Sequence, residues 1–290
     1  MNTAFVVDST GTLSQDLLDQ DNIYELTLST TFPDGTTYTD TRDDKKTIEF
    51  YETMTASKDL PTTSQPSPQQ YTEILDDIKA KGYEHVIFIL LSSKISGALQ
   101  SAKVVAEDYA DDFNTYFIDS KGTSLLIENL VEQGMTLLDE GLDHQTVCDK
   151  LRWVAEQTDI FVVVEDLKNL VKGGRLSKGE SLMGNLLRIK PILIIDKNGE
   201  VKPYEKVRTL NKALKRMEDI VDEKMKLFNG KAKICFAHAN REKKVAKEIE
   251  KLQAKYPNTS FRSDFLTVIL GTHSGEGAIG VGVIPYASKD

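Results

Sequence analysis

Residues 86–106, VIFILLSSKISGALQSAKVVA, constrain this chain more than any other stretch. Val86, Ile87, Phe88, Ile89, Leu90 and Leu91 form an unbroken apolar run. Its length and β-branched content are those of a strand buried on both faces. A polar turn, SSKISG, follows at 92–97. Beyond Gly97 the period changes, and Leu99, Ala102 and Ala106 fall on one helical face. A buried strand feeding a short turn into a helix is the repeating unit of α/β proteins. Ser96 is placed to cap the helix, and Gly97 admits close approach to the backbone. The free amides of the first helical turn suit a phosphate or a carboxylate, and an ordinary N-cap leaves the same pattern.

The same alternation runs through the first half. Residues 4–7 form a short apolar strand ending in Asp8, Ser9 and Thr10, a place where open α/β sheets put their sites. Thr12 and Gln15 match a capping box for a helix from Leu13. Residues 24–32 read as one strand, Pro33-Asp34-Gly35 as a turn and residues 36–39 as its return, a hairpin arm at about 24–40. Thr47 caps a short helix carrying Ile48 and Tyr51. In LPTTSQPSP, residues 60–68, three prolines argue against regular structure and hold two threonine hydroxyls on a stiff loop. Ser67, Pro68 and Gln70 then open a helix that Gly82 ends. A strand at 114–119 and helices at about 124–140 and 144–157 follow.

After residue 157 the character changes. Strands are expected at 160–164 and 192–195, the second turning at Asp196-Lys197-Asn198-Gly199 into a returning strand at 201–207. Between them lie a basic glycine turn, LVKGGRLS, and an apolar helix at 182–188. A long helix runs from Arg208 and Thr209 to about Asn229, then strand 232–237, helix 242–256 and strand 261–269. The fold class expected is α/β with two domains: residues 1–157 with a parallel sheet between helices, and residues 158–290 with a mixed or antiparallel sheet.

Charge and cysteine usage exclude several functions. A net charge of -9 argues against nucleic acid as the main partner, since phosphate neutralisation needs clustered Lys and Arg. No apolar run is long enough to span a bilayer, and the chain is expected in the cytoplasm. Cys148 and Cys235 fall in a helix and a strand and read as buried thiols. His85, His144, His238 and His273 form no H-x-x-x-H pair, so no metal is signalled. Gly275, Gly277 and Gly280 match G-x-G-x-x-G, yet the helix and distal acid of a dinucleotide fingerprint have no room after them. These glycines instead suggest a tight loop that pushes His273 into a site, or a glycine-rich turn with a surface histidine. There is no G-x-S-x-G elbow around Ser96, and Glu180 stands where a P-loop has its lysine.

Five stretches in order resemble the DegV family: VDSTGTL near the start, TSQPS at 63–67, SSKISGALQSA at 92–102, KGGRLS at 172–177 and GTHSGEGA at 271–278. LLRIKPIL followed by KVRT at 206–209 also resembles it. The stretch after Asp119 departs from the glycine-richer family pattern, and Glu276 stands where proline is frequent. The resemblance implies a two-domain binder of long-chain fatty acids, with the acyl tail between the domains and no cofactor. It implies a partner kinase that phosphorylates the bound carboxyl group, and no catalytic site on this chain. By motif position, Thr63, Ser96 and His273 would hold the fatty-acid carboxylate, and Arg175 and Arg208 would form a basic rim for the kinase. The alternative is a hydrolase or acyltransferase with Ser96 as nucleophile, His273 as base and Asp8 as orienter.

Overall fold

A computed structural model describes residues 2–165, 167–176 and 190–287. The apolar stretch 182–188, expected to be helical, and Ser177 lie outside the described residues. In chain order the first half contains β1 (Thr3–Asp8), a 3-10 turn (Ser9–Gly11), α1 (Gln15–Leu18), β2 (Ile23–Leu26), β3 (Ser29–Thr31), β4 (Thr37–Thr39), α2 (Asp44–Ala56), β5 (Thr62–Ser64), α3 (Pro68–Ala80), β6 (His85–Leu90), α4 (Ala98–Ala106), β7 (Asn114–Asp119), α5 (Leu125–Asp139) and α6 (His144–Gln157). The second half contains β8 (Ile160–Val163), α7 (Lys168–Lys172), β9 (Lys190–Ile195), β10 (Val201–Val207), α8 (Leu210–Leu227), β11 (Ala232–His238), α9 (Glu242–Lys255), β12 (Phe261–Phe265), α10 (Val268–Ser274) and β13 (Ile279–Pro285).

Strands β2-β1-β6-β7 form an all-parallel sheet. Its central strand β6 is the apolar run of the sequence, and Val86 to Leu90 are buried on both faces, as a parallel sheet covered by helices requires. One hydrophobic core unites β1 and β6 with residues of α3, α4, α5 and α6. The second sheet, β10-β9-β8-β13-β11-β12, is antiparallel except for the β11–β12 pair. One of its faces packs on α8 and α9 through Phe161, Val163, Ile234, Phe236, Ile279, Val281 and Val283. A third core joins α2 and the β3–β4 hairpin to the opposite face through Phe32, Phe50, Tyr51, Leu193 and Ala237. Mixed α/β architecture is therefore as the sequence predicts.

Several local expectations are corrected, three of them by a side chain from elsewhere in the chain. The strand expected at 24–32 splits between two sheets. At Thr27 the Gln70 side-chain amide accepts from the backbone N–H and donates to the carbonyl, standing in for a neighbouring strand. Gln70 is thereby spent, and Ser67 starts α3 without a side-chain cap. Thr12 adopts a left-handed conformation and α1 begins only at Gln15, because Glu128 of α5 accepts the Ser14 amide. Asp43 rather than Thr47 caps α2. The proline stretch holds a strand after all: Thr62–Ser64 is a sheet edge beside β3, flanked by Pro61 and Pro66, so no proline interrupts its hydrogen bonds. The strand expected at 261–269 stops at Phe265. Its last residues form α10 instead, whose Ile269 amide is held by the Asp40 carboxylate.

Candidate functional site

The site begins with the three-stranded sheet β4-β3-β5. Its register sets Thr63 opposite Thr30, and the Thr30 hydroxyl lies 3.1 Å from that of Thr272. This hydroxyl contact links the edge strand to α10. One residue on, Thr63 Oγ1 and His273 Nε2 are 2.9 Å apart. His273 therefore sits in the last turn of a short helix, not in the glycine loop that the sequence suggests. Asn169 of α7 fixes that turn by donating to the Thr272 carbonyl at 3.0 Å.

The basic glycine turn supplies the other side. Helix α7 ends in a Schellman arrangement: Arg175 N–H donates to the Leu170 carbonyl and Gly174 N–H to that of Val171, with Gly174 left-handed at φ +69°. The preceding Gly173 packs under the imidazole. A Cβ there would lie 2.4 Å from His273 Nδ1 and 2.9 Å from the Asn169 carbonyl oxygen, so only glycine fits. The turn then delivers Arg175, half-buried, whose Nε donates to the Ile95 carbonyl beside Ser96 and whose Nη1 donates to the Gly173 carbonyl. Ser96 itself accepts the Ala98 amide at 3.2 Å at the start of α4.

Thr63, Ser96, Arg175 and His273 all line one cavity of about 450 Å³. Its remaining wall is mostly apolar, with Leu28, Leu91 and Leu126 from the first half and Val162, Leu193 and Ile284 from the second. The volume and lining are those of a small-molecule site with a few convergent polar groups. Burial, and then the Arg175 charge, hold the His273 imidazole down at about 4 from its ordinary 6.5, so it is neutral near pH 7. Its Nδ1 is buried without a hydrogen-bond partner among the described residues. Arg208 lies apart from this group, exposed between β10 and α8 and outside the cavity lining.

The geometry does not assemble a hydrolytic triad. His273 Nε2 is engaged by Thr63, and the Ser96 hydroxyl by Ala98. Asp8 is fully buried and accepts from the Leu91 amide at 2.6 Å and from the Thr10 hydroxyl at 2.5 Å. Gly173 and Asn169 escaped the sequence reading. The doubled glycine of KGGRLS was the visible signal for the first, whereas nothing marked Asn169.

These features define a class: an α/β protein built around an apolar cavity with a cluster of polar groups in its wall. The chain belongs to the DegV family, whose model, described as "Uncharacterised protein, DegV family", matches residues 2–286. A DegV domain-containing protein of Streptococcus pyogenes serotype M3 is 36% identical over 98% of this chain and 99% of its own length. Among solved structures, a fatty-acid-binding DegV family protein of Streptococcus agalactiae is similar with a TM-score of 0.88 and 32% identity, covering 98% of this chain and 99% of that one. DegV of Bacillus subtilis, described as a fatty-acid-binding protein, matches with a TM-score of 0.86 and 33% identity over 98% and 99%. No helix among the described residues is long and apolar enough to cross a membrane.

Proposed function

We propose that this chain binds a long-chain fatty acid in the cavity and presents its carboxyl group to a partner kinase for acyl-phosphate formation, without catalysing the transfer itself. In this reading residues 1–157 and 158–290 are its two domains, it works in the cytoplasm, and the fatty acid is its one small-molecule ligand, with no cofactor. The observation that carries the proposal is the joining of Thr63, Ser96, His273 and Arg175 to a mostly apolar wall. A buried carboxylate is costly unless several donors converge on it. The orphaned Nδ1 favours a lone pair there, because a buried N–H without a partner is the rarer arrangement. The proton then sits on Nε2 and is donated to Thr63 Oγ1, which leaves the Thr63 hydroxyl proton for the ligand. Ser96 and Arg175 supply the second hydroxyl and the positive charge. Each buried CH₂ of the tail contributes about 0.8 kcal/mol, on the order of 10 kcal/mol for a long chain before ordering costs.

Denaturing organic extraction of the purified protein, followed by mass spectrometry, tests the binding role. A stoichiometric fatty acid is expected. An extract that stays empty after incubation with a panel of fatty acids would sink it. Thr63→Ala and Ser96→Ala should each keep the fold and weaken fatty-acid affinity by roughly tenfold, the worth of one charge-assisted hydrogen bond. Arg175 and Arg208 are proposed as the basic rim for the kinase, and Arg175 also lines the cavity. Arg208→Ala should therefore slow kinase-dependent phosphorylation while fatty-acid affinity holds, and equal phosphorylation rates would remove it from the rim.

A further inference from the structure

The floor of the cavity is one face of the six-stranded sheet, and its side chains are unevenly distributed. On β8 and β9 that face carries Ile160, Val162, Leu193 and Ile195. On the two strands beyond, it carries Gly280 and Gly282 of β13 and Ala237 and Cys235 of β11. The register places Gly280 opposite Ala237 and Gly282 opposite Cys235, so four small residues form a block in the middle of the sheet. Ile284, two residues past Gly282 on the same face, ends the block along β13.

Glycine weakens the interior of a central strand and is kept there for a left-handed backbone or a crowding neighbour. Neither reason holds at these positions. Gly280 and Gly282 do not have positive φ. A Cβ built on Gly280 would meet nothing nearer than Val162 Cγ2 at 3.7 Å, and one on Gly282 nothing nearer than Ile160 Cγ1 at 3.8 Å. Both distances are ordinary van der Waals contact, so the described residues leave room for a side chain. What such a side chain would occupy is the cavity. The neighbours on the opposite face, Ile279, Val281 and Val283, are full-sized and buried against α8 and α9.

We infer that Gly280, Gly282, Ala237 and Cys235 form a trough that takes the distal part of the acyl tail, and that the missing side chains at 280 and 282 set the longest chain accepted. The inference rests on the fatty-acid reading above and names its length selector. From Gly280 to Ile284 the strand advances about 13 Å, so a block at 282 cuts off the far half of the trough. A short acyl chain that stops before Gly282 does not meet that block.

Gly282→Val and the milder Gly282→Ala test this in delipidated protein, with stearate and laurate titrated as probes and circular dichroism confirming the fold. The wild type should bind stearate. In Gly282→Val stearate affinity should fall roughly tenfold or more, as expected for overfilling a packed space, while laurate affinity is retained. Gly282→Ala should fall between, with an apo-protein melting temperature equal to or above the wild type. Unchanged stearate binding in a folded Gly282→Val, or equal losses for both acids, overturns the trough while the fatty-acid reading stands. A wild type that binds neither acid fails that reading itself, and the trough with it.

Discussion

Strands β6 and β13 are central strands of two sheets in one chain, and they are built by opposite rules. Along β6, Val86, Ile87, Phe88, Ile89 and Leu90 are all buried, and both faces of the strand press on the core of the first half. Along β13, Ile279, Val281 and Val283 press on α8 and α9, whereas the face toward the cavity carries Gly280 and Gly282 before Ile284. The first strand is continuous apolar because nothing but protein touches it. The second alternates because one face packs on α8 and α9 and the other lines the cavity. A sheet packed on both sides can hold its end loops still, and Ser96 stands on such a loop, after β6. A sheet with one unfilled face offers area instead, and the cavity floor lies there.

Substitutions on the two strands should separate these roles. Phe88 is 1% exposed and stacks on Phe117 with ring centroids 5.0 Å apart. Phe88→Ala should cost about 3–5 kcal/mol in urea unfolding of the delipidated protein. Val281→Ala, on the helix face of β13, should cost about 2 kcal/mol with little effect on fatty-acid affinity. A Val281→Ala protein of undiminished stability but reduced affinity would reverse the assignment of the two faces.

Next in size is a difference in pH response. Asp8 closes β1 of the parallel sheet, and burial pushes its carboxyl up to about 6 from 3.8, against the hydrogen bonds from Thr10 and Leu91 that pull it down. Its folded form therefore holds a proton more tightly than the unfolded chain. That contribution is fully present below the ordinary value and is lost as pH rises through 6. His273 behaves inversely. Its depressed value of about 4 gives stability that is present above 6.5 and is lost as pH falls through 4. Between pH 4 and 6 the two oppose, each on the order of 3 kcal/mol. Asp8→Asn should make stability fall more steeply on acidification than in the wild type, and His273→Gln less steeply. Urea midpoints at four pH values across this window check it, and parallel curves for wild type and Asp8→Asn would show that Asp8 titrates as an ordinary carboxylate.

How much of this the sequence showed depends on where each element gets its instructions. Strand β6 and helices α5 and α6 were legible because their own apolar pattern determines them, and α6 matches residues 144–157 end to end. The turn at 196–199 was legible from its residue types alone. The larger failures came where a distant side chain decides. Gln70 breaks the strand at Thr27, Asp40 turns residues 268–274 into a helix, and Glu128 delays α1. The clustering of Thr63, Ser96 and His273 in one wall could be expected only from the family resemblance, since no spacing places residue 63 against residue 273. Strand β13 was missed because its glycines read as a loop, although the alternation stands there as IGVGV, and a period of two does not say which face is empty.

The smallest of the expected effects tests the contact that ties the glycine turn to the imidazole. Gly173 and Gly174 stand side by side in KGGRLS, and the structure gives them different tasks. Gly174 needs its positive φ, so a substitution there strains the end of α7 itself. Gly173 has φ -74°, which any residue adopts, and is constrained by the imidazole above it and by the Asn169 carbonyl of its own helix. Gly173→Ala should thus displace the His273 ring and also push the last turn of α7 away from the Asn169 carbonyl, with the fold as a whole retained. Thr63 would lose its imidazole partner, and fatty-acid affinity should drop by roughly tenfold, with a stability cost of about 1 kcal/mol for the overpacked turn. The Gly173→Ala and Thr63→Ala effects should not add when combined, since both act through one hydrogen bond. Full additivity would show that Gly173 acts on the ligand by another route, with Arg175, two residues on, as the first place to look.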